Sequence, residues 1–219
     1  MQDSLLLIDK PAGMTSFGVV ARIRRVLSEQ YGKKIKVGHC GTLDPFATGL
    51  LLIVTGSECK NAGAYTKLDK VYEATVHLGA TSTTGDPEGE ITEDSLAEPP
   101  SREQIEHVVQ QFVGEITQTP PIYSAIKING RRAYDLARKG VAVDIPSRQV
   151  TVYSLDIIQY KWPHLTIRTH VSSGTYIRSL AVDIGAALGV GAYCEQLRRL
   201  EIADWDVKRA RTLADFGVH

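Results

Sequence analysis

The residues best suited to chemistry lie in one glycine-rich stretch, the Asp44 segment (residues 38–49), with the sequence Gly-His-Cys-Gly-Thr-Leu-Asp-Pro-Phe-Ala-Thr-Gly. Its glycines permit tight turns and close approach of a ligand, and Pro45 stiffens the position after Asp44. If the surface formed by Leu43, Pro45 and Phe46 is buried, the carboxylate among them must be paired. Asp44 is therefore a candidate functional carboxylate. Initiation of a turn is the competing interpretation, since an Asp before a Pro commonly begins one.

The cysteines and histidines do not indicate a metal site. Cys40, Cys59 and Cys194 are an odd number of thiols without CxxC spacing, which argues against disulfides and zinc. The six histidines form no recognisable ligand set. Cys40 lies beside His39, but no third group that would orient the pair is evident, which disfavours a thiol nucleophile. We expect no bound metal.

Charge is balanced overall but unevenly distributed. The equal totals of 25 basic and 25 acidic residues argue against a nucleic-acid partner, because nucleic-acid-binding domains usually carry a net positive charge. However, two basic runs at residues 22–36 and 127–139 are almost free of acids, which gather at residues 86–106. The neutral total therefore permits one positive face that follows phosphates. The competing interpretation is that these runs only solvate surface helices and loops.

The start of the chain shows no targeting signal. The apolar run at residues 5–8 is short and is followed at once by Asp9, Lys10 and Pro11. No stretch is long enough to cross a bilayer, so the cytoplasm is the expected location.

Hydrophobic periodicity and cap residues predict a mixed fold of helices and strands without internal repeats. With 219 residues and 43% hydrophobic composition, the chain can bury a core as one large mixed domain or two small ones. Thr15 and Ser16 supply N-cap chemistry for the first helix, and Ser101 and Gln104 form a capping box for the second. Gly189 is placed to end the last helix, and Asn129-Gly130 is typical of a hairpin turn. Helices are predicted near residues 16–30, 101–112 and 176–188, with a short one before Gly140, and strands near residues 4–8, 50–54, 72–78, 122–128, 148–158 and 164–172.

Six separated blocks of the sequence resemble the TruB family of pseudouridine synthases. The Asp44 segment matches the family pattern GH-x-G-x-LDP-x-A-x-G at every specified position. The blocks follow the family's order and span nearly the whole chain, so chance agreement is not credible. The other matches are Lys10-Pro11 with Gly13, Thr15 and Ser16, and residues 70–79, 120–140, 174–178 and 197–199.

The resemblance implies isomerisation of uridine to pseudouridine within RNA, without metal or organic cofactor. Asp44 matches the family's nucleophile, and attack at the sugar and attack at the base both fit a carboxylate. Arg178 matches the arginine that pairs with that aspartate, where a guanidinium can hold a carboxylate ionised. Tyr72 matches the ring that packs against the target base. Taken alone, Arg178 would more often be a surface arginine and Tyr72 a core tyrosine.

The resemblance also implies contacts with a flipped-out nucleotide and its RNA. His39 matches a histidine that helps to hold the flipped nucleotide, and a flexible loop histidine is the competing interpretation. Lys10 and Lys127 match positions that are either structural or near phosphates. The residues expected to bind substrate or RNA are His39, Lys10, Thr42, Leu43, Lys127, Arg131, Arg132, Tyr176 and Leu197.

The implied architecture is the α+β pseudouridine synthase fold. It has a mixed, mostly antiparallel central sheet flanked by helices, with an RNA-binding cleft in one face. We expect a single catalytic domain over residues 1–219 with a thumb-like, RNA-gripping insertion at about 119–147. The C-terminal PUA domain of longer family members is absent from the sequence, because the protein is naturally minimal or because the chain is cut.

Family analogy selects uridine 55 in the T arm of tRNA as the target, with no obligatory protein partner and no membrane. A guide-dependent synthase of a ribonucleoprotein is one alternative. The last three residues of the Asp44 segment, Ala47-Thr48-Gly49, and the absent C-terminal domain favour the stand-alone bacterial type over the guide-dependent one. An RNA chaperone that needs no turnover is another alternative, which an intact Asp44, Tyr72 and Arg178 disfavours as the sole role.

Replacement of both Arg131 and Arg132 by Glu tests the basic hairpin as an RNA grip. We expect RNA affinity to fall much more than the rate at which the bound complex forms pseudouridine. Each lost phosphate contact should flatten the plot of log affinity against log salt by about 0.7 to 0.9. Glu substitutions at Arg22 and Arg25, on the other basic run, are the control. An unchanged salt slope, or equal weakening by the control, would refute the grip.

Overall fold

The computed structural model describes residues 4–124, 127–128, 131–132 and 145–217. The chain forms two compact units, the first from residues up to 72 and from 198 onward, the second from residues 73–197. The expectation of one catalytic domain over the whole chain stays a prediction. Among the described residues, no helix is both long and apolar enough to cross a membrane.

Strands and helices alternate irregularly along the chain, as expected for an α+β protein. The strands are β1 (Ser4–Lys10), β2 (Val37–Cys40), β3 (Thr48–Thr55), β4 (Lys70–Leu78), β5 (Ala80–Ser82), β6 (Ile91–Glu93), β7 (Gly114–Gln118), β8 (Lys127–Ile128), β9 (Arg131–Arg132), β10 (Arg148–Lys161), β11 (His164–Val171), β12 (Ala192–Ile202) and β13 (Trp205–Asp206). The α-helices are α1 (Ser16–Tyr31), α2 (Ala62–Thr66), α3 (Arg102–Gln110) and α4 (Ile177–Leu188), and short 3-10 turns occupy Gly56–Lys60, Val207–Arg209 and Ala214–Phe216.

The cap residues predicted from the sequence begin and end the helices. The Thr15 side chain accepts a hydrogen bond from the Gly18 amide at the start of α1. Ser101 and Gln104 form the predicted capping box of α3. Gly189 ends α4 in the left-handed conformation with φ of 75°. The three predicted helices are therefore confirmed.

In the first unit, β3 is buried on both faces. It pairs antiparallel with β1 and with β2, and Arg198 and Arg199 of β12 pair parallel with its first residues. Leu51 and Ile53 point into a core formed with α1, while Leu50, Leu52 and Val54 point into a second core on the opposite face. Side chains alternate along a strand, so a continuous apolar run serves both cores.

In the second unit, the strand order is β12, β4, β11, β10 and β7. β10 pairs antiparallel with both β7 and β11, and β5 and β6 form a separate antiparallel pair. α3 packs against α4 and β10. The mixed, mostly antiparallel sheets and the flanking helices confirm the predicted fold class.

The structure differs from the sequence prediction at several strands. The Asp44 segment was predicted to be a loop, but its first residues lie in β2 and its last in β3. β7 and β12 were not predicted, because neither shows clean alternation of apolar and polar residues. Lys127 pairs with Arg132 and Ile128 with Arg131, which confirms a hairpin pairing around the predicted turn. Residues 122–124 of the predicted strand are not in a strand, and the second strand at 131–132 was not predicted. The turn at 129–130 and the helix expected before Gly140 lie outside the described residues.

Gly49 is required where the Asp44 segment enters β3. Its φ is +102°, and a Cβ at this position would lie 2.2 Å from the carbonyl oxygen of Arg199. Backbone atoms cannot move aside as the end of a side chain can, so only glycine lets β3 and β12 approach here. The close packing of these two strands thereby fixes the end of the Asp44 segment.

Candidate active site

Lys10 holds the turn at the centre of the Asp44 segment. Its side chain is fully buried, and its ammonium donates to the carbonyl oxygens of Pro11, Met14 and Pro45 at 2.8, 2.6 and 3.2 Å. A buried ammonium needs such acceptors to offset its loss of water. The geometry therefore favours the structural one of the two roles that the sequence leaves open for Lys10.

Ser16 clamps the residue before Asp44. Its hydroxyl donates to the Leu43 carbonyl at 3.0 Å and accepts from the Leu43 amide at 2.8 Å. Ser16 is the first residue of α1, and both Ser16 and Leu43 are buried. The start of α1 therefore fixes both polar groups of the Leu43 backbone. The predicted contact of Leu43 with RNA stays a prediction.

Arg199 forms hydrogen bonds to Gly41 within the Asp44 segment and to Leu50 directly after it. It is buried, and its guanidinium donates to the Leu50 carbonyl at 2.6 Å and to the Gly41 carbonyl at 3.1 Å. Lys70 is a second buried cation next to Gly41. Burial, followed by the nearby charge of Arg199, lowers the pKa of Lys70 to about 8. Two buried cations therefore lie beside Gly41, and one of them, Arg199, donates to the backbone of the Asp44 segment.

The predicted site residues of the first unit differ in accessibility. Asp44 and His39 are half-buried, Thr42 is exposed, and Tyr72 is buried on β4. The Asp44 carbonyl accepts from the Ala47 amide at 3.2 Å, which closes a turn. The turn interpretation of Asp44 and its functional interpretation therefore do not exclude each other, because backbone atoms close the turn.

Cys40 lies beside His39 but is poorly suited to act as a nucleophile. Its side chain is buried, and burial raises the pKa of the thiol to about 11. A thiol is nucleophilic as the thiolate, so at neutral pH Cys40 is almost wholly in its unreactive form. The geometry agrees with the rejection of a thiol mechanism from the sequence.

In the second unit, Arg178 is a buried cation with a buried carboxylate partner. Its Nη1 lies 2.7 Å from Oδ2 of Asp86, with 3% and 2% of the two side chains exposed. The guanidinium also donates to the carbonyls of Thr84 at 3.1 Å and Tyr123 at 2.8 Å. Arg178 is therefore not the surface arginine that would be common at such a position.

Asp86 is itself fully engaged. Its Oδ1 accepts from the Thr84 hydroxyl at 2.5 Å and from the Glu88 amide at 3.0 Å. These donors orient the Asp86 carboxylate toward Arg178. Asp86 was not predicted as a site residue, because it is one of many acids in the run at residues 86–106. A usable signal was present, since Gly85-Asp86-Pro87 repeats the Asp-Pro pairing of the Asp44 segment.

Gln118 positions the start of α4, one residue before Arg178. Its buried amide donates to the Tyr176 carbonyl at 3.0 Å and accepts from the Tyr176 amide at 2.7 Å. Arg148 stacks over the Tyr176 ring, with 5.0 Å from its Cζ to the ring centroid. Tyr176, predicted to bind RNA, is therefore held through both its backbone and its ring.

A cavity of about 450 Å³ lies beside Arg178 in the second unit. Hydroxyl side chains of Thr83, Thr117 and Ser179 line it, together with Tyr123 and Asp183. Burial raises the pKa of Asp183 above its usual value. Apolar side chains also line the cavity, so it suits a ligand that has both apolar surface and hydrogen-bonding groups. These apolar residues are Phe112, Pro121, Ile122 and Val182.

The remaining predicted residues are less defined by the structure. Leu197 is buried on β12. Lys127, Arg131 and Arg132 lie in the paired strands β8 and β9, and only their backbone is among the described features. Their role as an RNA grip stays a prediction.

The sequence is similar to a known family over most of its length. The model described as "TruB family pseudouridylate synthase (N terminal domain)" matches residues 24–177. The tRNA pseudouridine synthase B of Azoarcus sp. (strain BH72) is 46% identical over 214 residues, which are 96% of this chain and 68% of that relative. The protein of the same name from Flavobacterium johnsoniae is 43% identical over 212 residues, 96% of this chain and 93% of the relative.

Solved structures share the fold. A chain in the crystal structure of a Cbf5-Nop10-Gar1 complex superposes with a TM-score of 0.75 at 31% identity, covering 98% of this chain and 53% of that chain. A chain in the structure of an H/ACA RNP bound to a substrate RNA containing 2'-deoxyuridine gives a TM-score of 0.70 at 29% identity, covering 98% of this chain and 52% of that chain. This chain therefore spans about half the length of these neighbours.

The fold and the family match define an RNA pseudouridine synthase, an enzyme that isomerises uridine within RNA. The chain belongs to the TruB family of pseudouridylate synthases.

The buried ion pair of Arg178 and Asp86 can be tested by its contribution to stability. Asp86→Ala leaves a buried guanidinium without its carboxylate, so the free energy of unfolding should fall by about 3 kcal/mol. Glu106→Ala is the control, because it breaks the exposed pair of Arg102 and Glu106, with 65% and 52% of the side chains exposed. Its cost should stay below about 0.5 kcal/mol. Urea unfolding measures both, and equal costs would contradict the assignment.

Proposed function

We propose that this enzyme isomerises a uridine of tRNA, at position 55 in the T arm, with Asp44 as nucleophile. Relatives that are 46% and 43% identical carry the name tRNA pseudouridine synthase B, which supports tRNA as the substrate. The position in the T arm rests on the family resemblance of the six sequence blocks. The proposal places the enzyme in the cytoplasm, with RNA as its partner.

The observation that best supports Asp44 is that hydrogen bonds fix the backbone around it while the residue itself is only half-buried. The carbonyls of Gly41, Leu43 and Pro45 each accept from a buried side chain. A nucleophile must be held within a fraction of an ångström of its attack geometry, and such support restricts its motion. Asp44 therefore meets the positional requirement for covalent catalysis.

The proposed reaction conserves every atom of the substrate. The Asp44 carboxylate forms a covalent bond to the nucleotide, at the sugar or at the base, and the glycosidic carbon-nitrogen bond breaks. The uracil turns, a carbon-carbon bond to the sugar forms, and the proton on that uracil carbon leaves. The uracil nitrogen that left the sugar gains a proton, so the product is an isomer of the substrate. The Asp44 bond is then released, which gives pseudouridine and the free enzyme.

Arg178 and Tyr72 have proposed roles in the same reaction. The match of Arg178 to the family motif assigns it to stabilise the catalytic carboxylate. Its ion pair with Asp86 holds the guanidinium in one orientation. Tyr72 is assigned to pack against the target base, where stacking tolerates any sequence. His39 and Thr42 are assigned to hold the flipped nucleotide.

A stand-alone enzyme fits the comparisons better than a guide-dependent one. Identity to the curated bacterial relatives reaches 46%, against 31% for the chain of the Cbf5-Nop10-Gar1 complex. The proposal therefore includes no obligatory protein partner.

Asp44→Asn separates catalysis from binding. The amide keeps the shape of the side chain but is a far weaker nucleophile, so single-turnover formation of pseudouridine should be abolished while RNA affinity is largely retained. Carbodiimide labelling of a T-arm stem-loop RNA measures the product. Asp204→Asn, a carboxylate at an exposed position of the same unit, is the control and should behave like the parent. Product formation by Asp44→Asn near the parent rate would refute the nucleophile. Modification of an RNA with cytidine at position 55 would refute the target.

A further inference from the structure

Three potential metal ligands come together on adjacent strands of the second unit. The strand order β12, β4, β11 places Glu195, His77 and His164 side by side. Nδ1 of His77 lies 3.3 Å from Oε1 of Glu195, and Nε2 of His164 lies 3.3 Å from Oε2. One ligand atom from each residue lies within 4.8 Å of the other two. The sequence could not indicate this set, because its members are far apart along the chain.

The distances fit a shared ion better than strong direct hydrogen bonds. An N–H···O hydrogen bond is most often about 2.9 Å long. Ligands at about 2.0–2.1 Å from a tetrahedral Zn²⁺ are about 3.3–3.4 Å apart, because a tetrahedron's edge is roughly 1.6 times its centre-to-corner distance. The separation of 3.3 Å from His77 to Oε1 of Glu195 and the separation of 3.3 Å from His164 to Oε2 each equal one such edge. One ligand atom from each residue also lies within 4.8 Å of the other two, so a small shift lets a single ion reach all three. Two imidazoles and one carboxylate are also a set found at zinc sites that keep an open fourth position.

The surroundings hold the histidines in place and leave them accessible. The Tyr193 ring stacks on His77 with 5.1 Å between centroids and 15° between planes, and His164 meets His77 edge-on at 5.1 Å. The exposed fractions of 22% for His77, 47% for His164 and 27% for Glu195 leave a path for an ion from solvent.

We propose that His77, His164 and Glu195 bind a divalent transition-metal ion of the Zn²⁺ class, with water at the fourth position. Imidazole nitrogen favours such ions over Mg²⁺ or Ca²⁺, which prefer oxygen ligands. The ion ties β4, β11 and β12 together and stabilises the second unit. None of the three ligands lines the cavity beside Arg178, so the site is structural and turnover survives chelation.

Calorimetric titration with Zn²⁺ tests the site directly. All proteins contain Cys59→Ser, which removes the partly exposed thiol as a competing ligand. The parent should bind one Zn²⁺ per chain, and its melting temperature should rise with Zn²⁺ concentration. Co²⁺ in place of Zn²⁺ should give the intense visible absorption of a tetrahedral site. His77→Ala, His164→Ala and Glu195→Gln should each weaken binding by about tenfold or more.

His170→Ala is the matched control, because His170 also lies on β11 but contacts Tyr153 rather than the three ligands. It should bind Zn²⁺ like the parent. His164 is the most exposed of the three ligands, so His164→Ala tests the site even if His77→Ala fails to fold. Absence of saturable binding by the parent, or parent-like affinity in His164→Ala and Glu195→Gln, would overturn the proposal.

Discussion

Hydrogen bonds from buried side chains to the backbone of the Asp44 segment are the constraint on which the rest of the site depends. Lys10, Ser16 and Arg199 come from β1, α1 and β12, and each donates to a carbonyl of that segment. A glycine-rich stretch has high conformational entropy, so its order must be imposed by its neighbours. The first unit therefore acts as a scaffold whose cores position these three donors.

Four buried cations reduce the positive charge that the protein can present to RNA. Lys10, Lys70, Arg178 and Arg199 are buried, so their charges are used inside the protein and are not available to RNA phosphates. Burying them is tolerable because carbonyl oxygens or the Asp86 carboxylate replace their water. None of these four residues belongs to the two basic runs at residues 22–36 and 127–139, so those runs remain the candidates for the positive surface expected of an RNA-binding enzyme.

Local rules predicted much of the fold, and non-local contacts account for what was missed. The caps at Thr15, Ser101 and Gly189 act within a few residues, so the sequence shows them directly. The Asp44 segment was recognised by its spacing and family resemblance. Asp86 and the cluster of His77, His164 and Glu195 were missed, because each depends on partners many residues away. The fold brings Asp86 to Arg178 of α4, and the sheet order brings the cluster together.

The single-turnover rate of Ser16→Ala tests most directly whether the buried donors position Asp44 for chemistry. This variant removes one hydroxyl that bonds both the amide and the carbonyl of Leu43. Ser28→Ala is the control, since Ser28 lies on the same helix and accepts only from the Ile35 amide at 3.2 Å. We expect pseudouridine formation by Ser16→Ala to slow by about tenfold or more at unchanged RNA affinity, because small displacements of a reacting group are costly. A rate equal to that of Ser28→Ala would contradict the account.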